Sequence, residues 1–195
     1  MASRFHYYGL PSPVPPEPEL GLQMNVYQSG HVQLNLANNM CHIRHTGVNG
    51  WGWAVGSEPL ADGAMWKLSV QSLPTSNLMA GIITNLSPQQ CAFQDPTFFG
   101  WYNNNSIYVR GGSNNCSTYG MAQWPGWTTG DEAIFKFSAA AKTLTAYLKR
   151  TGQCYTMPPG TMNNIVGFRI CICTTNVNTA VSVTPPSKEE SVLLH

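Results

Sequence analysis

One pattern runs the length of this chain: short apolar segments, each cut off by a turn signal before it can grow into a long helix. HVQLNLA and MCHIRHT come first, followed by MWKLSVQSL, LMAGIITNL, GWYNN, NSIYVRGG, EAIFKFS, KTLTAYLKR, NIVGFRICICTT and TAVSVT. Clusters of Gly, Pro, Asn, Asp and Ser separate them at roughly the 8 to 12 residue spacing of an all-β sandwich. In MWKLSVQSL, Trp66, Leu68 and Val70 fall on one side of a strand, because side chains alternate with period two. No repeat of about 20 to 50 residues is visible, which disfavours solenoids and propellers.

Composition supports strands and turns. Charged residues make up 10% of the chain, against about 25% in an average soluble protein. Asn, Ser, Thr, Gly, Pro and aromatics take their place, and these favour pleated surfaces and turns over helices. A formal net charge of +1, with no Lys or Arg run, gives no electrostatic footprint for a phosphate backbone, so no nucleic-acid partner is expected. No apolar run reaches the roughly 18 residues that span a bilayer, so no membrane is expected either. The start MASRFHYYGLPSPVPP lacks a signal-peptide core, and the expected location is intracellular, in the cytoplasm. The 195 residues are about one domain and need no disulfide to hold a core, so the six cysteines are expected to be reduced and mostly buried. Sequons at Asn85, Asn104 and Asn115 matter only if the chain meets the secretory pathway.

Three units are expected. Prolines crowd residues 1–20 (PSPVPPEPE) and make an extended arm, residues 21–184 form the sandwich, and residues 185–195 form a flexible tail. The ambiguous stretch is GDEAIFKFSAAAKTLTAYLKRTG, residues 130–152. Ala140, Leu144, Tyr147 and Leu148 have helical spacing, yet Ala133, Phe135 and Phe137, then Leu144, Ala146 and Leu148, alternate as in strands. A helix would be nearly alone among strands, and Thr143 and Thr145 suit a pleated surface, so two strands are expected.

In this order the segments resemble a SPRY domain, a bent β-sandwich that serves as a protein-recognition module in ubiquitin-ligase and signalling proteins. The resemblance rests on HIRHTGVNGWGWAVGSEPLADGAMWKLSVQS, AGIITNL, FGWYNNNSIYVRGG, GDEAIFKFSAAAKTLTAYLKRTG and the final pair NIVGFRICIC and NTAVSVT, in unbroken order over residues 22–184. It implies an all-β, two-sheet antiparallel sandwich, a concanavalin-like jelly roll with little or no helix. It also implies a peptide site at one edge, which by position falls on Arg44 and His45, on the loop from Asp95 to Phe98, and on Thr174, Thr175 and Asn176. Lys67 follows Trp66 where the family commonly has Glu, so its ligand preferences do not transfer.

The residues themselves offer little catalytic chemistry. Asp131 and Glu132 are adjacent, so on a strand they leave opposite faces. His42 and His45 likewise face apart, while Cys171 and Cys173 share a face but lack a C-x-x-C partner pair, so no metal and no cofactor are expected. No nucleophile elbow, phosphate loop or dinucleotide fingerprint occurs. Loops rich in aromatic area and amides are the better candidates for binding: Trp51 and Trp53, then Trp101, Tyr102 and Asn103, then Trp124 and Trp127. The expected function is therefore non-catalytic recognition of a protein or peptide, with a lectin-like module that stacks carbohydrate on Trp and hydrogen-bonds it through Asn as the alternative.

Overall fold

Most of the alternating segments form strands. The computed structural model describes residues 24–27, 31–37, 39–47, 50–75, 77–86, 88, 92–103, 105–158 and 160–194. The expected Pro-rich arm 1–20, Cys91 and Asn104 lie outside the described residues. The strands are β1 Met24–Tyr27, β2 Val32–Ala37, β3 Met40–His45, β4 Gly52–Gly56, β5 Met65–Ser72, β6 Leu78–Ile83 and β7 Phe99–Trp101. They continue with β8 Ser106–Val109, β9 Gly112–Asn115, β10 Glu132–Ser138, β11 Thr143–Leu148, β12 Gln153–Thr156, β13 Arg169–Thr174 and β14 Ala180–Thr184. A short helix, α1, spans Lys188–Ser191. The strands make two antiparallel seven-stranded sheets, ordered β1-β4-β13-β6-β7-β8-β9 and β12-β11-β10-β5-β14-β3-β2. The expected two-sheet sandwich is present.

The core fills the space between the sheets. Trp66, Leu68 and Val70 bury together as their alternation predicts, and Trp66 stacks on Phe135 of the neighbouring strand β10 with ring centroids 5.1 Å apart. Trp101, Trp124 and Trp127 join the same cluster. Buried indoles of this size are the heaviest apolar contributors a core can hold.

The first sheet is covered on its outer face as well. There Trp53, Val55, Met79, Ile83, Phe98, Cys171 and Cys173 form a second cluster, closed by Ala92 and Phe93 of a 3-10 turn in the β6–β7 connection. With both faces apolar, β4 and β6 are buried at every residue and lose any alternation. Gly81 fixes the close approach of β6 and β7: a Cβ there would lie 1.9 Å from the Phe99 carbonyl oxygen.

Residues 130–152 form a hairpin. Phe137 pairs with Leu144 and Ser138 with Thr143, so the alanines make the turn between β10 and β11. Asp62 holds that turn from outside the hairpin, its Oδ1 accepting the Ala139 N–H at 2.7 Å and the Ala140 N–H at 3.2 Å. Those two N–H groups, Ala140 first, hold the Asp62 carboxyl below its ordinary value. Lys142 closes the turn in the left-handed region at φ 53°. Alanine's helix propensity yields to a cap from a distant carboxylate and to the pairing of β10 with both its neighbours.

The segment expected as a flexible tail carries structure. Ser187 and Glu190 form a reciprocal capping box around α1. Glu190 also accepts from Lys149 at 2.5 Å and Lys67 at 3.2 Å, and Lys136 donates to the Leu194 carbonyl at 3.0 Å. Three lysines from the outer face of the second sheet thus hold it. The S-x-x-E signal was present in SKEE and marks this helix start.

Candidate binding surface

At one end of the sandwich four connections meet: β3–β4, β5–β6, β7–β8 and β13–β14. Thr174 pairs with Gly52 on one side and Leu78 on the other, so one step further the register sets Trp51, Thr175 and Asn77 side by side on the rim. The Tyr102 hydroxyl donates to Asn77 Oδ1 at 2.7 Å, and the Asn176 amide donates to Thr75 Oγ1. Behind this row lie more aromatic rings: Trp51 on Phe93 at 4.5 Å, Phe93 on Tyr108 at 5.3 Å, and Tyr108 on Tyr102 at 5.9 Å. Trp51, Tyr102 and Tyr108 keep part of their surface exposed while their other side is packed, which leaves rigid aromatic area facing outward. Burial pushes the Tyr102 phenol up, partly offset by the Asn103 side chain beside it. Asn103 Oδ1 is buried without a hydrogen-bond partner.

The residues expected at the peptide site divide into three groups. Tyr102, Asn103, Thr175 and Asn176 come together on this rim. His45, Phe98, Trp101 and Thr174 are buried. His45 turns into the sandwich and its Nε2 donates to the Gly50 carbonyl at 2.9 Å, while Trp101 packs against Trp124 and Phe135 in the core. These four support the surface from behind and offer nothing for a partner to touch. Arg44 and Asp95 stand apart from each other, because β3 belongs to the second sheet and the β6–β7 connection closes the outer face of the first. Arg44 is exposed. The Asp95 carboxylate is used locally, accepting from Asn85 at 2.9 Å and from the Thr97 N–H at 2.8 Å.

Asn77, Thr75 and Tyr108 escaped the sequence reading. Asn77 stands before β6 in a polar loop, and only the register of β6 against β13 shows it level with Thr175. Tyr108 is visible as one end of the alternating pair Ser106 and Tyr108 opposite Ile107 and Val109.

Asp131 accepts from Arg150 while Glu132, on the opposite face, accepts from Lys149 at 2.6 Å. His42 and His45 face apart, and the Cys171 and Cys173 sulfurs lie 3.7 Å apart in the outer cluster. Cys41, Cys116, Cys171 and Cys173 are buried free thiols and Cys154 is exposed. Among the described residues no three His, Cys, Asp or Glu side chains converge on a possible metal position, and no helix is long and apolar enough to cross a membrane.

This two-sheet frame with a loop-built end is an antiparallel β-sandwich. Among solved structures the chain is similar to the SPRY domain of human HERC1, with a TM-score of 0.61 at 13% identity over 80% of this chain and 94% of that domain. It is similar also to the TRIM65 PSpry domain, with a TM-score of 0.55 at 11% identity over 84% and 93%. Its fold is that of a SPRY domain. The carbohydrate binding module CBM66 from Bacillus subtilis, at a TM-score of 0.45 and 7% identity over 83% of this chain and 92% of the module, is too distant to bear on function. No family model matches the chain, and no curated protein matches it in sequence.

Proposed function

We propose that this domain holds a protein or peptide partner, without chemistry, on the rim built by Trp51, Asn77, Tyr102, Asn103, Thr175 and Asn176. The observation that carries the proposal is the pairing of half-exposed aromatic rings, fixed by packing from behind, with side-chain amides and hydroxyls that can bond a peptide backbone. Rigid aromatic anchors lose little entropy on binding, and amides give orientation. Arg44 lies at the same end of the sandwich, since the next residue, His45, donates its N–H to Thr179 in the β13–β14 connection. A partner that reaches across the end would meet it as a forked donor. Substrate recognition within a ubiquitin-ligase or signalling assembly in the cytoplasm is the wider role in keeping with a SPRY fold.

The lectin-like alternative loses its main support. Five of the six tryptophans are buried, Trp124 and Trp127 among them, and Trp51 alone keeps a partly exposed ring for a sugar to stack on.

Peptide-display selection against the immobilised chain tests the proposal. Peptides selected on the wild type should bind Tyr102→Ala and Asn176→Ala at least tenfold more weakly, and Arg44→Ala reports whether the partner spans the end. Undiminished binding to both rim variants overturns the proposed site.

A further inference from the structure

At the end of the first sheet opposite the rim stands Arg169, the first residue of β13. Ile170 and Ile172 face the core and Cys171 and Cys173 join the outer cluster, so alternation turns Arg169 outward with the cysteines. Its Nε and Nη1 are nevertheless buried, and neither has a hydrogen-bond partner. Arg169 also takes part in none of the ion pairs among the described residues. A guanidinium stays charged at any physiological pH and has no acceptor, so its donors can be satisfied only by an oxygen brought to them. Donors of a charged group that are out of water and unpaired are among the costliest arrangements a fold can hold. Asp95, in the connection that closes this face, accepts from Thr97 and Asn85 and makes no ion pair with Arg169 among the described residues.

We propose that Arg169 is the base of a carboxylate-receiving site on the outer face of the first sheet, separate from the rim and independent of the function proposed for it. A carboxylate matches the fork of a guanidinium and neutralises its charge in the same step. Two sources supply that chemistry. One is an acidic segment of another protein. The other is the chain's own Glu17 or Glu19, which precede β1 in sequence. Met24 at the start of β1 pairs with Gly56, and Val55 pairs with Cys171, so the chain enters the sheet two strands from Arg169 and nearly level with it. Two strand spacings are roughly 10 Å, whereas the five residues from Met24 back to Glu19 span up to about 18 Å.

The test follows the Arg169 Nε–Hε resonance in the 15N-labelled full chain, assigned by its loss in Arg169→Lys. Should that variant fail to fold, the assignment is made through bonds in the wild type. The probe is a capped Glu-Glu-Glu tripeptide, with capped Gln-Gln-Gln as control, added to the wild type and to Glu17→Gln/Glu19→Gln. If the source is external, the wild-type resonance shifts saturably with the Glu peptide, at least tenfold more tightly than with the Gln peptide. If the source is the chain's own arm, the wild type is insensitive, while Glu17→Gln/Glu19→Gln moves the resonance and makes it respond to the Glu peptide. A resonance that responds in neither protein and is unmoved by the Glu17 and Glu19 changes overturns the site, as does an equal response to both peptides.

Discussion

Arg150 donates to Asp131 through Nε at 2.7 Å and through Nη2 at 3.3 Å, joining the end of the β10–β11 hairpin to the residue that precedes it. Asp131 accepts in addition from the Thr128 N–H at 2.8 Å, and Arg150 Nη2 donates to the Gly126 carbonyl at 3.0 Å. The Asp131 side chain is 1% exposed and that of Arg150 is 40% exposed. Removing Arg150 therefore strands a buried carboxylate, but solvent at the arginine side softens the loss. Arg150→Ala should cost about 1–3 kcal/mol in urea unfolding, less than the roughly 3–5 kcal/mol of a pair buried on both sides.

Trp101 and Tyr102 are neighbours in sequence with opposite assignments. Trp101→Ala should cost about 3–5 kcal/mol, because a fully buried indole leaves a large cavity. Tyr102→Phe removes one hydrogen bond, to Asn77, and should cost about 1 kcal/mol. Equal losses in urea unfolding would place Trp101 on the surface and contradict the core assignment.

These two residues also show where the sequence stops being informative. Strands β5 and β11 alternate cleanly, and β10 does so apart from a buried Ile134, because one face meets the core and the other is more polar, so their existence and facing were legible from Trp66, Phe135 and Leu144. Strand β7 has three residues, all buried, and sits in a sheet that is apolar on both faces, so nothing in FGWY says which ring points outward. The rim itself depends on register between strands far apart in sequence. Tyr102, Asn103, Thr175 and Asn176 could be named from their residue types and positions, whereas Asn77 could not. Arg44 and Asp95 drifted apart for the same reason, since order along the chain does not reveal which sheet a strand joins.

Docking of α1 should depend on acid. Partial burial alone would raise the Glu190 carboxyl, but the Lys149 ammonium, the Ser187 N–H and Lys67 outweigh it and bring it from an ordinary 4.5 down to about 2. A depressed carboxyl stabilises the folded state fully above its unfolded value and loses that contribution as pH falls towards its folded one. The stability gap between the wild type and Glu190→Gln should thus hold at pH 6 and shrink between about pH 4.5 and 2. A gap of constant size across that range, measured by urea unfolding, would show that the contact contributes no charge-dependent stability.

Thiol chemistry offers a further check on the core. Burial pushes the Cys41 thiol up to about 11 and raises that of Cys171 well above its ordinary range. Reaction requires both thiolate and access. Cys154, exposed on the edge strand β12, should therefore be alkylated at pH 8 at least tenfold faster than Cys41 or Cys171 in the folded chain. Mass-spectrometric mapping that found comparable rates would mean that the sandwich opens readily.

The rim is examined most directly by chemical-shift mapping of a display-selected peptide titrated into the 15N-labelled chain. The expected result is saturable shifts confined to the Trp51 indole, the side-chain amides of Asn77, Asn103 and Asn176, and the backbone of Thr175. Shifts centred instead on Gln71 and Ser182 of the second sheet's outer face, with the rim silent, would contradict the proposed function.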